Sequence, residues 1–97
     1  MTNFYVTYTA PDQASRDGFL AAVKENGIDV SSRAEDGCIR YDYYLPIDTD
    51  NQIFLWEQWE TRDAQKVHCT LPHFQVLQEV KARFGLTAEI LIEDAAE

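Results

Sequence analysis

Aromatic and β-branched residues dominate Phe4 to Thr9, and Pro11 closes the run, so this segment reads as a strand. Asp12 is placed to cap a following helix. In that helix Phe19, Leu20 and Val23 share one face, Gly18 weakens it modestly, and Asn26-Gly27 stops it. Ile28 to Asp36 supports two readings: Ser31-Ser32 suggests a turn, whereas Ile28 and Val30 can extend the packed region. After Gly37, Cys38 to Leu45 reads as a second strand, ended by Pro46 and followed by turn residues Asp48-Thr-Asp-Asn51. Ile53 to Glu60 reads as a third strand, paired with the second in an antiparallel hairpin. Thr61 can cap a short helix from Arg62 to Cys69, and Pro72 suits the first turn of another that ends near Phe84. Phe74, Leu77, Val80 and Phe84 give this last helix an apolar stripe before Gly85 stops it. Thr87 to Glu93 then alternates as a final strand, with Ala88, Ile90 and Ile92 opposite Leu91.

The order strand, helix, strand, strand, helix pair, strand is the split β-α-β pattern of a ferredoxin-like α+β sandwich, an antiparallel sheet with helices on one face. Such a sheet normally turns polar residues to its open face. Here Leu55 and Trp59 oppose Phe54 and Trp56, and Tyr41, Tyr43 and Leu45 oppose Tyr44, so both faces carry large apolar groups. Half-exposed single aromatics are common, but several strands share the pattern. The expected solution is a homodimer packed sheet against sheet.

At 97 residues the chain is long enough for one domain spanning 1–97 and too short for two cores. Its 17 acidic against 8 basic residues give a formal charge of −9, which argues against binding nucleic-acid phosphates or anionic lipid. Yet 45% of residues are apolar, too many for a disordered acidic segment. No run approaches the about 18 apolar residues of a membrane span. Met1-Thr-Asn-Phe-Tyr lacks the pattern of a secretory leader. Cys38 and Cys69 form no C-x-x-C pair, so the expected location is a reducing cytoplasm. The acidic stretch from Glu93 to Glu97 is expected to fray.

Phosphate loops, G-x-S-x-G, H-E-x-x-H and calcium loops are all missing. What stands out is EDGCIRYDYY, then FLWEQWE, then VHCTLPHFQ. These runs resemble the antibiotic-biosynthesis monooxygenase domain, whose small quinol-monooxygenase-like members show E-x-G-C-x-x-Y, E-x-W and H-x-x-S-x-H-F. The matching positions are Glu35, Gly37, Cys38, Tyr41, Glu57, Trp59, His68, His73 and Phe74, with Leu71 where Ser is usual. The resemblance spans nearly the whole chain. It implies a ferredoxin-like dimer whose sheets form a barrel, with a pocket in each subunit between sheet and helices. It also implies oxygenation of a phenol or hydroquinone without flavin, haem or metal, so no cofactor is expected. Other relatives degrade haem or isomerise a phosphorylated signalling compound. The haem branch resembles this domain with Trp where His68 stands and an iron-binding His where Gln78 stands, so haem is not expected here.

An oxygenase of this kind needs a base, a dry apolar cage and hydrogen bonds to the substrate oxyanion. The candidate catalytic residues are His68 and His73, which titrate near neutrality, and Glu57, whose pKa rises if it is buried. Tyr41, Trp59 and Phe74 are candidate walls for a small aromatic substrate. Each has a plainer role. Trp59 can be a core anchor, and Tyr41 a core or dimer residue. His73 can bond near a helix start, and His68 can complement a helix dipole. Glu57 can pair with Arg40 across the hairpin. Cys38 reads as a small buried hydrophobe. His68, Cys69 and His73 make a three-ligand set without a fourth, a weak zinc signal, and no metal is expected. A non-catalytic dimeric ligand-binding domain is the competing function. A phosphate-dependent isomerase would need an arginine in the pocket.

Overall fold

The computed structural model describes residues 1–94; 95–97, the end of the segment expected to fray, lie outside the described residues. The elements run β1 (Thr2–Thr9), α1 (Gln13–Glu25), α2 (Ile28–Arg33), β2 (Cys38–Tyr44), β3 (Gln52–Trp59), α3 (Arg62–His68), α4 (Pro72–Arg83) and β4 (Thr87–Asp94). The four strands form one antiparallel sheet in the order β2-β3-β1-β4. This is the ferredoxin-like α+β fold read from the element order.

The capping residues act as their chemistry requires. Asp12 accepts from the Ser15 backbone N–H at 2.8 Å, and Thr61 accepts from that of Ala64 at 3.1 Å. Pro72 occupies the first turn of α4, where its missing N–H costs nothing. The ambiguous segment after Gly27 becomes helical. Ser32 turns inward and donates to the Ile28 carbonyl at 2.7 Å, so its hydroxyl is satisfied within the helix and makes no turn. Glu93 and Asp94 are strand residues: Asn3 and Tyr5 donate to Glu93, and Thr2 and Arg62 donate to Asp94. The frayed tail expected from Glu93 onward therefore does not begin there.

The core sits between the sheet and the helices. Phe4, Val6 and Tyr8 from β1 and Ile53, Leu55 and Trp59 from β3 meet Phe19, Val23, Ile28, Leu77 and Val80. The alternation along both strands places every second residue in this layer. Gly18 lets α1 approach the end of α4: a Cβ there would lie 2.5 Å from the Phe84 ring. The helix-free face carries Tyr5, Phe54, Trp56 and Tyr44, whose rings lie about 6 Å apart in sequence of contact. Beside them Leu91 on β4 is 67% exposed. Both sheet faces are therefore apolar, as the strand patterns indicate. Among the described residues no helix is long and apolar enough to cross a membrane.

Candidate functional site

A cavity of about 320 Å³ opens between the sheet and helices α3 and α4. Helical spacing builds one wall: Gln65 and His68 lie on one face of α3 with Cys69 just past its end, and Phe74, Leu77, Gln78 and Lys81 form one face of α4. The sheet supplies Phe4, Val6 and Tyr8 from β1, Glu57 from β3, and Ile90 and Ile92 from β4. Most of the lining is apolar, with a few polar groups set into it, the usual constitution of a small-molecule site.

Glu35 stands behind this cavity. The turn after α2 delivers it, and Gly37, at φ +82°, brings the chain from that turn into β2. A side chain at Gly37 would also meet Ala64 at 2.7 Å, so only glycine lets this turn lie against α3. The Glu35 carboxylate reaches both histidines. His68 Nδ1 lies 2.5 Å and His73 Nε2 2.7 Å from the same oxygen, Oε2. His68 is 1% exposed, and its ring packs among Trp59, Tyr41 and Phe74. Burial lowers its pKa, and the Glu35 carboxylate only partly opposes this, so His68 is neutral at pH 7. With Nδ1 held by Glu35, Nε2 is the nitrogen left for a ligand on a ring that lines the cavity.

Glu57 is the second ionisable group of the wall. Burial raises its pKa to about 7, despite the hydrogen bond that Trp59 Nε1 donates to its Oε1 at 3.2 Å. It can therefore hold or release a proton near neutral pH. Glu57 does not pair with Arg40. Register places Arg40 opposite Gln58, and its guanidinium instead meets Asp42 at 3.0 Å and covers the Trp56 ring.

The other candidates fall into two groups. Phe74 lines the cavity with His68 and Glu57. Trp59 and Tyr41 are both fully buried behind that lining and hold the His68 ring from the core side. His73 is half-buried and touches the cavity only through Glu35 and the ring of His68. Cys38 is half-buried, and its thiol is pushed up to about 11 mainly by burial, which suits a packing role better than a nucleophile. Glu35 was matched by the motif without a role. Its signal in sequence is its place two residues before Gly37, which says nothing of the helix it faces.

Cys69 is exposed and does not join a metal set with the histidines. Glu35, His68 and His73 do have donor atoms within 4.8 Å of one another. Ligands around a tetrahedral ion with bonds of about 2.0 Å stand roughly 3.3 Å apart, farther than the observed 2.5 and 2.7 Å. The arrangement is that of a carboxylate accepting two N–H bonds. A second cleft, about 250 Å³, lies beside α1, α2 and β2, but each of its charged groups already has a partner: Asp29 pairs with Lys24 and Arg33, and Arg33 also meets Asp42.

Fold and cavity together define a ferredoxin-like domain with a partly open, largely apolar site between sheet and helices. The antibiotic biosynthesis monooxygenase family model matches residues 4–80, and the chain belongs to that family. A Synechocystis protein, the uncharacterized sll1783, is 34% identical over 67 residues, covering 68% of this chain and 46% of that protein. The chain thus spans less than half the length of that relative. Among solved structures, an antibiotic biosynthesis monooxygenase superposes with a TM-score of 0.83 at 22% identity over 100% of both chains. A conserved protein from Methanosarcina mazei Go1 does so with a TM-score of 0.84 at 18% identity, over 99% of this chain and 94% of that one. At these identities the two structures speak to the fold.

Proposed function

We propose that this protein is a cofactor-independent monooxygenase that oxidises a small hydroquinone or polyphenol with dioxygen, and that it works as a homodimer. The observation that carries the reading is the Glu35–His68 contact beside an apolar cavity. Glu35 accepts a hydrogen bond from Nδ1–H, which fixes the tautomer of His68 with its Nε2 lone pair free. His68 Nε2 then takes the proton of a substrate hydroxyl. Glu57, poised near pH 7, exchanges a second proton at the same wall. Phe74 packs against the substrate ring, while Trp59 and Tyr41 keep His68 in place from behind. His73 holds Glu35 by the second hydrogen bond.

The substrate anion supplies the electrons. One electron passes to dioxygen, and the radical pair recombines to form a carbon–oxygen bond and a hydroperoxide. The O–O bond then breaks: one oxygen stays as a ring carbonyl and the other leaves as water. For a hydroquinone the balance is hydroquinone plus O₂ giving hydroxyquinone plus water, with no external reductant. The buried walls of Val6 and Leu77 would shield the radical pair from water on the inner side of the cavity, while Ile90 and Ile92 border its exposed mouth. No arginine lines the cavity among the described residues, so the isomerase alternative lacks the bidentate arginine anchor that it was expected to need.

The test is isotopic. Purified protein with hydroquinone under ¹⁸O₂ should yield hydroxyquinone carrying one labelled oxygen, at a rate above autoxidation. Label appearing only at the background rate would contradict the proposal.

A further inference from the structure

Seven residues after Phe74, and about 10 Å further along α4, Lys81 reaches the opposite end of the cavity. Its ammonium lies 5.2 Å from the centre of the Tyr8 ring. Tyr8 sits at the far end of β1 from Phe4, which is opposite Glu57 in the register. The cavity therefore has two polar ends. His68 and Glu57 mark one, Lys81 marks the other, and Val6, Leu77 and Ile90 lie in the wall.

Lys81 is also unusual among the cations of this acidic chain. Lys24 and Lys66 each have a carboxylate within 4 Å, and so do Arg16, Arg33, Arg40 and Arg62. Among the described residues Lys81 has no such partner and no hydrogen bond. Arg83, the other cation without a carboxylate, lies over the Phe84 ring away from the cavity lining. Glu57 across the cavity is the carboxylate whose charge Lys81 feels, without direct contact. A half-buried ammonium on an apolar wall with no directly bonded partner is costly unless an anion meets it. Side chains on a helix lean toward its N-terminus, which aims the Lys81 stem back over the cavity toward Leu77 and Phe74.

We infer that Lys81 is the specificity residue of this site, and that the substrate is a carboxylated phenol. Its reacting hydroxyl lies at the His68 end and its carboxylate lies against the Lys81 ammonium. The pairing is a charge-assisted hydrogen bond in a largely apolar setting, where such bonds are strongest. It also orients the ring. A neutral hydroquinone can enter either way round, whereas a carboxylate admits one orientation. The inference rests on the oxygenase reading for the identity of the reacting group, but the anion site itself is a matter of binding.

The experiment is therefore done without turnover. Calorimetric titration under anaerobic conditions compares 2,5-dihydroxybenzoate with hydroquinone, in wild type and in Lys81→Met and Lys81→Arg. Methionine keeps most of the apolar stem over Tyr8, and arginine keeps the charge. The carboxylated probe should bind wild type about tenfold or more tightly than hydroquinone. That ratio should fall toward one in K81M, persist in K81R, and shrink as salt is raised. A ratio near one in wild type, or an equal preference in K81M, would overturn the inference and leave Lys81 a packing residue on Tyr8. If the Lys81-dependent preference is found but no labelled oxygen enters any product, the anion site stands and the oxygenase reading falls.

Discussion

Glu35 Oε2 lies 2.5 Å from His68 Nδ1, although the two residues are 33 positions apart and belong to different elements, the turn after α2 and helix α3. The contact selects which imidazole nitrogen can accept a proton. With Nδ1–H donated to the carboxylate, Nε2 carries the lone pair. Glu35 thus acts as a positioning residue, and its effect can be separated from that of a packing residue by the pH profile. In Glu35→Gln the activity should fall by about 100-fold or more, by analogy with other imidazoles that lose a tautomer-fixing carboxylate. The carboxylate raises the His68 pKa against the larger lowering by burial. Its removal should therefore move the acid limb of the kcat/KM profile to lower pH. A rate loss with an unmoved acid limb would assign Glu35 a structural role alone.

Glu57 makes stability depend on pH in a direction unusual for a carboxylate. Its folded pKa is about 7, raised from 4.5 chiefly by burial. Between those values the folded state binds more protons than the unfolded chain, so this group's contribution is greatest below pH 4.5 and is lost as pH rises through 7. The loss amounts to about 3 kcal/mol. Chemical denaturation of Glu57→Gln should show this slope removed, so that the variant gains on wild type between pH 5 and pH 8. Parallel pH profiles for the two proteins would mean Glu57 is not buried in this way.

Gly18 is a packing requirement rather than a weakness. Alanine raises helix propensity by about 1 kcal/mol, but its Cβ would fall 2.5 Å from the Phe84 ring. Overpacking of this kind costs about 1–3 kcal/mol. Gly18→Ala should therefore be neutral to destabilising in urea unfolding. A gain of about 1 kcal/mol would show that Phe84 moves aside freely.

The helix-free face offers a test of assembly. Tyr5, Phe54 and Leu91 line a groove on it, and Leu91 is 67% exposed. Sedimentation at micromolar concentration should give twice the 11.2 kDa chain mass. Leu91→Asp should yield a folded monomer, because Leu91 contributes to no internal core. A wild-type monomer would contradict the homodimer.

The fold was legible because each element carries its own punctuation: Asp12 and Thr61 as caps, Pro72 at a helix start, Gly85 past a helix end. The segment Ile28–Asp36 was less so, since a serine that bonds its own helix backbone looks in sequence like a turn residue. Phe74, His68 and Glu57, which line one cavity, were legible as candidates because motif and chemistry agreed. Glu35 and Lys81 were not. The role of Glu35 depends on a contact between a turn and two helices. Lys81 continues the α4 face of Phe74, Leu77 and Gln78, but nothing local distinguishes a cation on a cavity wall from one in solvent. Trp59 and Tyr41 show the converse: large aromatics suit a substrate wall and a core equally, and only the packing places them behind His68.

The central claim is that His68 is the base of an oxygenase site. The most direct measurement is oxygen uptake by purified, chelator-treated protein with a panel of hydroquinones, for wild type and His68→Asn. The account predicts uptake above autoxidation in wild type and a return to background in H68N, with the variant still folded. Equal uptake by the two proteins would contradict it.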